Sequence, residues 1–150
     1  MSMFKLIALG VVCLALLAAG CGGNDSTSLT KAEFIKQGDA ICKETDKSQN
    51  QKIRAYLAEN PKTPSTKANT EKVISVAFPQ IKAEVEELAA LDPPSGDEEE
   101  IEAIVAGVEE GLEEAEKNPV STNKTGAGNP FDEVGKLARK YGFKECDFPY

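Results

Sequence analysis

The stretch Ile101-Glu102-Ala103-Ile104-Val105-Ala106-Gly107-Val108-Glu109-Glu110-Gly111-Leu112-Glu113-Glu114-Ala115 carries its branched apolar residues at 101, 104, 105, 108 and 112, with Ala115 next in line. Steps of three and four match the 3.6-residue turn of an α-helix, and glutamates fill much of the opposite side. The segment therefore has one face for a core and one for water. Acids from Asp97 to Glu100 suit the positive end of the helix dipole. Ser95 or Asp97 is placed to cap it, and Asn118-Pro119 stops it. One apolar stripe of this kind has to be covered by other elements, so the neighbouring segments decide the architecture.

Working back from it, Asp92-Pro93-Pro94-Ser95-Gly96 is a firm break. Before the break, Val73, Ile74, Ala77, Phe78, Ile81, Val85 and Leu88 form a second helical stripe, in a helix expected from Ser65 or Thr66 to Leu91. Pro79 lies inside it and predicts a kink near Ser75 to Pro79 or a split into two helices. Pro61 to Ser65 is a turn. Earlier still, Thr30 and Glu33 form a capping box, with Leu29 and Phe34 placed as its hydrophobic staple. Phe34, Ile35, Ile41 and Cys42 start a further stripe, which lapses from Lys43 to Lys52 and resumes at Ile53, Tyr56 and Leu57. That helix is either exposed in its middle or bent near Ser48-Gln49-Asn50. Working forward from residue 118, Val120 to Asn129 reads as a polar loop. Asn129 and Pro130 are expected as N-cap and N1 of a short helix with Phe131, Val134, Leu137, Ala138 and Tyr141 on one face. Gly142 suits a left-handed C-terminal cap, with Phe143 folding back on Leu137. Period-2 alternation with β-branched residues is missing. The fold class is all-α, a bundle of about four helices.

The N-terminus has a different character. After Lys5, Leu6 to Ala19 is an apolar run of 14 residues, too short for the roughly 20 that a membrane-spanning helix needs and right for a signal peptide. It ends Leu17-Ala18-Ala19-Gly20-Cys21. Small residues there suit a cleavage site between Gly20 and Cys21. This ending resembles the lipobox of bacterial lipoproteins, in which the cysteine thiol takes a diacylglyceryl group before cleavage. It departs from the commonest pattern in placing Leu17 one position early, with Ala18 in its slot, a variation the family tolerates. The resemblance implies a signal peptide over 1–20, a lipidated tether over 21–29, a helical domain over 30–150, and attachment to the extracytoplasmic face of the cell membrane. The Gly22-to-Ser28 stretch has the composition of a flexible tether. A plain signal peptide, with Cys21 an incidental thiol, is the alternative.

Four cysteines are present. Cys13 leaves with the signal peptide and Cys21 carries the lipid, so Cys42 and Cys146 remain. In an oxidising compartment they have one intramolecular pairing, a disulfide from the first helix to the C-terminal tail. Two separate thiols are the alternative. A metal site from two cysteines in a chain without histidine has less support. From Asp92 to Asn118 there are 11 acids and one base, which is the whole charge imbalance of the mature chain. That surface argues against nucleic acid as a partner.

Lys31-Ala32-Glu33-Phe34-Ile35, Asp39-Ala40-Ile41-Cys42, and Pro130-Phe131 followed by Leu137-Ala138 and Tyr141-Gly142-Phe143-Lys144-Glu145-Cys146 are similar to a group of small secreted or lipid-anchored helical proteins of high-GC Gram-positive bacteria. The resemblance spans most of the mature chain and is most specific at the two cysteine-containing stretches. It implies a helical fold and a disulfide, and brings no activity with it.

No catalytic residue, metal ligand or cofactor is assigned. The chain lacks histidine, the usual general base near neutral pH, and no serine sits in a nucleophile elbow. Paired carboxylates of glycosidase type would need a cleft, and a hydrolase is kept only as an outsider. The glutamates of 109–114 lie along a helix without the loop that gathers calcium ligands, so a solvated face is the simpler reading. Asp39 and Asp46, near the Cys42 face, are expected to make structural hydrogen bonds. Two functions remain. One is a non-enzymatic interaction module facing an envelope protein. The other is a binder of a small ligand or of calcium, using a cavity under Pro79 or at the polar gap of the first helix. A contiguous exposed apolar patch favours the first, and a polar pocket near Gln49 and Pro79 favours the second.

Overall fold

The computed structural model of the chain describes residues 28–60, 67–146 and Phe148. The cleavage and lipidation positions, Gly20 and Cys21, lie outside the described residues. Four α-helices follow in order: α1 Lys31–Glu59, α2 Lys67–Ala89, α3 Glu98–Lys117 and α4 Asp132–Tyr141, with a 3-10 turn, Pro119–Asn123, between α3 and α4. Among the described residues there is no β-strand, only an isolated bridge between Ala127 and Asn129. The all-α bundle is as expected.

The start of α1 is the capping box. Thr30 Oγ1 accepts from the Glu33 N–H, and Glu33 Oε2 accepts from the Thr30 N–H at 3.0 Å. Leu29 packs against the core whose first member is Phe34. The helix then runs unbroken through Ser48-Gln49-Asn50. Of its polar middle, Lys43, Glu44, Lys47, Asn50, Gln51 and Lys52 are exposed, as the first alternative expected, while Gln49 turns inward and is only 6% exposed. The helix α2 also continues through Pro79 instead of splitting. Proline removes the donor that Ser75 C=O would use, and the Ser75 hydroxyl donates to Lys72 C=O at 2.7 Å in the turn just before.

Pairwise packing runs α1 on α2, α2 on α3 and α3 on α4, and the 3-10 turn packs on both α2 and α3. Ile81, Val85, Leu88, Ile104, Val108, Leu112 and Ala115 from the two predicted stripes meet Phe34, Phe131, Val134 and Ala138 in one core. The glutamates of α3 are all exposed.

Two predicted caps have other partners. Asp97 stands at the N-cap of α3 without a capping bond. Its Oδ2 instead accepts from the Tyr141 hydroxyl at 2.9 Å and pairs with Lys31 Nζ at 3.3 Å. Asn129 and Pro130 precede α4, which begins two residues beyond Pro130. The Asn129 side chain closes a local turn by accepting from the Phe131 N–H at 2.9 Å. Leu137, predicted on the buried face of α4, is 43% exposed. Gly142, at φ 126°, turns the chain, and the Phe143 N–H donates to Ala138 C=O. Phe143 goes not onto Leu137 but into an aromatic group with Phe34 and Tyr141.

Candidate functional site

Cys42 and Cys146 are joined, with Cα atoms 5.2 Å apart and both residues 1% exposed. The local sequence prepares this closure. Gly38 lacks the Cβ that would come within 2.5 Å of Phe143 Cε1. At the next residue, Asp39 Oδ1 accepts from the N–H groups of Lys144 and Glu145, both at 2.9 Å. The expected structural role of Asp39 is thus met: one carboxylate oxygen holds two backbone donors of the tail beside the disulfide.

A cleft opens where α1 turns polar. Elsewhere large apolar side chains fill the space between helices, but Asp46, Gln49 and Asn50 do not, and the opposing part of α2 offers Val73, Ile74, Ala77 and Phe78. The result is a cavity of about 390 Å³ bounded by α1, α2 and the 3-10 turn, within the few-hundred-Å³ range of small-ligand sites. Ile53 and Ile81 complete the apolar wall, while Asn69, Thr70, Thr122 and Asn123 add to the polar rim. Protein bonds orient the rim. Asn123 Nδ2 donates to Thr70 Oγ1 at 3.2 Å, Asn50 Nδ2 to Asp46 C=O at 2.8 Å, and the Tyr56 hydroxyl to Asn69 Oδ1 at 3.3 Å. The expectation of a polar pocket near Gln49 and Pro79 is met at Gln49. Pro79 itself is exposed and does not line the cleft.

Glu84 lies one helical turn from Ile81 and is 1% exposed. Its Oε2 has no hydrogen-bond partner among the described residues. Burial pushes its carboxyl up to about 8, the Asp46 charge adds to the rise, and a hydrogen bond with Thr45 opposes it. At neutral pH the group therefore keeps its proton, which is the form that a buried, half-satisfied carboxyl tolerates.

Compared with protein-family models, curated proteins and solved structures, the chain matches none.

The remaining candidates are less built. Between α2 and α3 a hollow is rimmed by Glu86, Glu109 and Glu113, with Lys82 bonded to Glu116 at 3.0 Å. Among the described residues, no three acids or cysteines converge closely enough to hold a metal ion, so nothing there favours the calcium reading. No helix of the described residues is long and apolar enough to cross a membrane. The exposed large apolar side chains, Leu57, Val120 and Leu137, belong to three different elements. Glu84, Asn69 and Asn123 were not singled out by the sequence pattern. The available signal was an acid at a core position of the α2 stripe, between Ile81 and Leu88, and an apolar lapse in α1 opposite an apolar stretch of α2.

Proposed function

We propose that the protein is a lipid-anchored binding protein of the extracytoplasmic face, carried on Cys21, that takes a small ligand in the cleft between α1, α2 and the 3-10 turn. The observation that carries this reading is the cleft itself: an apolar wall and an oriented carboxamide rim around a cavity of about 390 Å³. Binding without turnover agrees with the residues at hand. The lining has hydroxyls and amides but no nucleophile paired with a base. The lipobox-like end of the apolar run supports the anchor, and two acyl chains hold a protein stably where one holds it marginally. The Cys42–Cys146 disulfide supports an oxidising compartment.

Two measurements test this. The intact mass of protein extracted from membranes should match Cys21 to Tyr150 plus a diacylglyceryl group, and Cys21→Ser should shift the protein out of the membrane fraction. An unlipidated mass recovered from the medium overturns the anchor. Native mass spectrometry of the extracted protein should show a bound small molecule that Val73→Phe, which fills the cleft, removes. An adduct that survives this substitution in a folded protein overturns the cleft as its site.

A further inference from the structure

We infer that the cleft takes an uncharged amphiphile, a molecule with an apolar body and hydroxyl or amide groups along one edge. This rests on the cleft being the binding site. The two sides of the cavity differ in chemistry. From Val73 to Ile81 the α2 lining offers only hydrocarbon and the Phe78 ring, so it takes an apolar body. The rest of the rim carries the carboxamides of Gln49 and Asn50 from α1, Asn69 from the first turn of α2 and Asn123 from the 3-10 turn. A carboxamide both donates and accepts, and hydroxyl and amide groups of a ligand do the same. Asn50 and Asn123 are each oriented by a bond to the protein, so their planes are set before a ligand arrives.

Charge narrows the class further. Among the described lining residues there is one carboxylate, Asp46, and no lysine or arginine. An anionic head would meet that carboxylate and no lining lysine or arginine to receive it. A cationic head would leave water for a single carboxylate in a cavity half walled by hydrocarbon, and desolvating an ion is far costlier than desolvating a hydroxyl. Neutral polar groups fit the rim without that cost.

Three probes with the same tail and different heads separate these cases: octyl glucoside, octylammonium and octanoate, each titrated into the membrane-extracted, detergent-exchanged protein below its micelle concentration and followed by amide chemical shifts and calorimetry. Octyl glucoside is expected to bind tightest, with shifts confined to α1 residues 46–53, the first half of α2 and the 3-10 turn. Asn50→Ala and Asn123→Ala, both at exposed positions, should each weaken it by roughly five- to tenfold while leaving the helical content unchanged. If octylammonium or octanoate binds as tightly as the glucoside or tighter at the cleft, the uncharged class is wrong and the cleft stands. If no probe binds, or the shifts fall elsewhere, the cleft is not the site and both inferences fall.

Discussion

Glu84 holds a place that a helix of this kind ordinarily gives to leucine, and its titration sets how the fold answers pH. Below about pH 4.5, its ordinary value, the carboxyl is protonated whether the chain is folded or not. Between that value and about 8 the unfolded chain has released the proton while the native one retains it. The folded state therefore binds more protons across this window, and stability falls as pH rises through it, levelling above about 8. Full burial of the group puts the total at roughly 3–5 kcal/mol. Glu84→Gln keeps the shape and removes the ionisation, so its urea midpoint should vary little between pH 5 and pH 9 where that of the parent protein drops; equal slopes in the two proteins would refute this account. Asp39 contributes through hydrogen bonds to the tail. Asp39→Ala leaves the Lys144 and Glu145 N–H groups without their acceptor, and the expected loss is about 1–3 kcal/mol in the same urea assay. Of these two acids the sequence exposes only one. Asp39 shares a helical face with Cys42 and so reads as structural, whereas a pattern that assigns acids to the solvent side has no means of finding Glu84, whose burial depends on how α1 lies across α2.

Helix boundaries divide along the same line between local and distant causes. The Thr30–Glu33 box is legible because all its partners lie within four residues. Asp97 and Asn129 look like caps by the same rule, but Asp97 is drawn away by Tyr141 and Lys31, which reach it from other helices, and Asn129 closes a turn of its own. The polar cleft was half legible: the lapse in the α1 stripe marks the gap, while the third wall, from the 3-10 turn, comes from a loop with no periodic signal. The contact of α3 with the start of α4 gives a prediction at this scale. A Cβ on Gly111 would come within 2.7 Å of Phe131 Cδ1 and 3.1 Å of the Pro130 carbonyl oxygen. Alanine favours an isolated helix over glycine by about 1 kcal/mol, yet overpacking costs about 1–3 kcal/mol, and the Pro130 backbone cannot swing aside. Gly111→Ala should therefore lower the melting temperature despite its better helix propensity. A rise would mean that α4 is free to retreat.

For the molecule as a whole, the disulfide joins residues 104 apart. Constraining a loop of that length in the unfolded chain stabilises by about 4–5 kcal/mol on chain entropy alone. Reduction and alkylation should shift the urea midpoint down accordingly, with Asp39→Ala and reduction less than additive because both act on the same tail. That pairing was legible from the cysteine count, since the expected loss of Cys13 and lipidation of Cys21 leave two thiols; the cradle of Gly38, Asp39 and Phe143 around it was not, because it joins positions about a hundred residues apart. The closure has a further consequence for resistance to proteolysis. All of α2, α3, α4 and the glycine-bearing loop before α4 lie inside a covalent ring closed at Cys42 and Cys146. A single cut within the ring opens it without separating any piece, so a nicked molecule gains only the water consumed and stays covalently joined to the segment upstream of Cys42. Only a cut before Cys42 or after Cys146, or a second cut within the ring, sheds material.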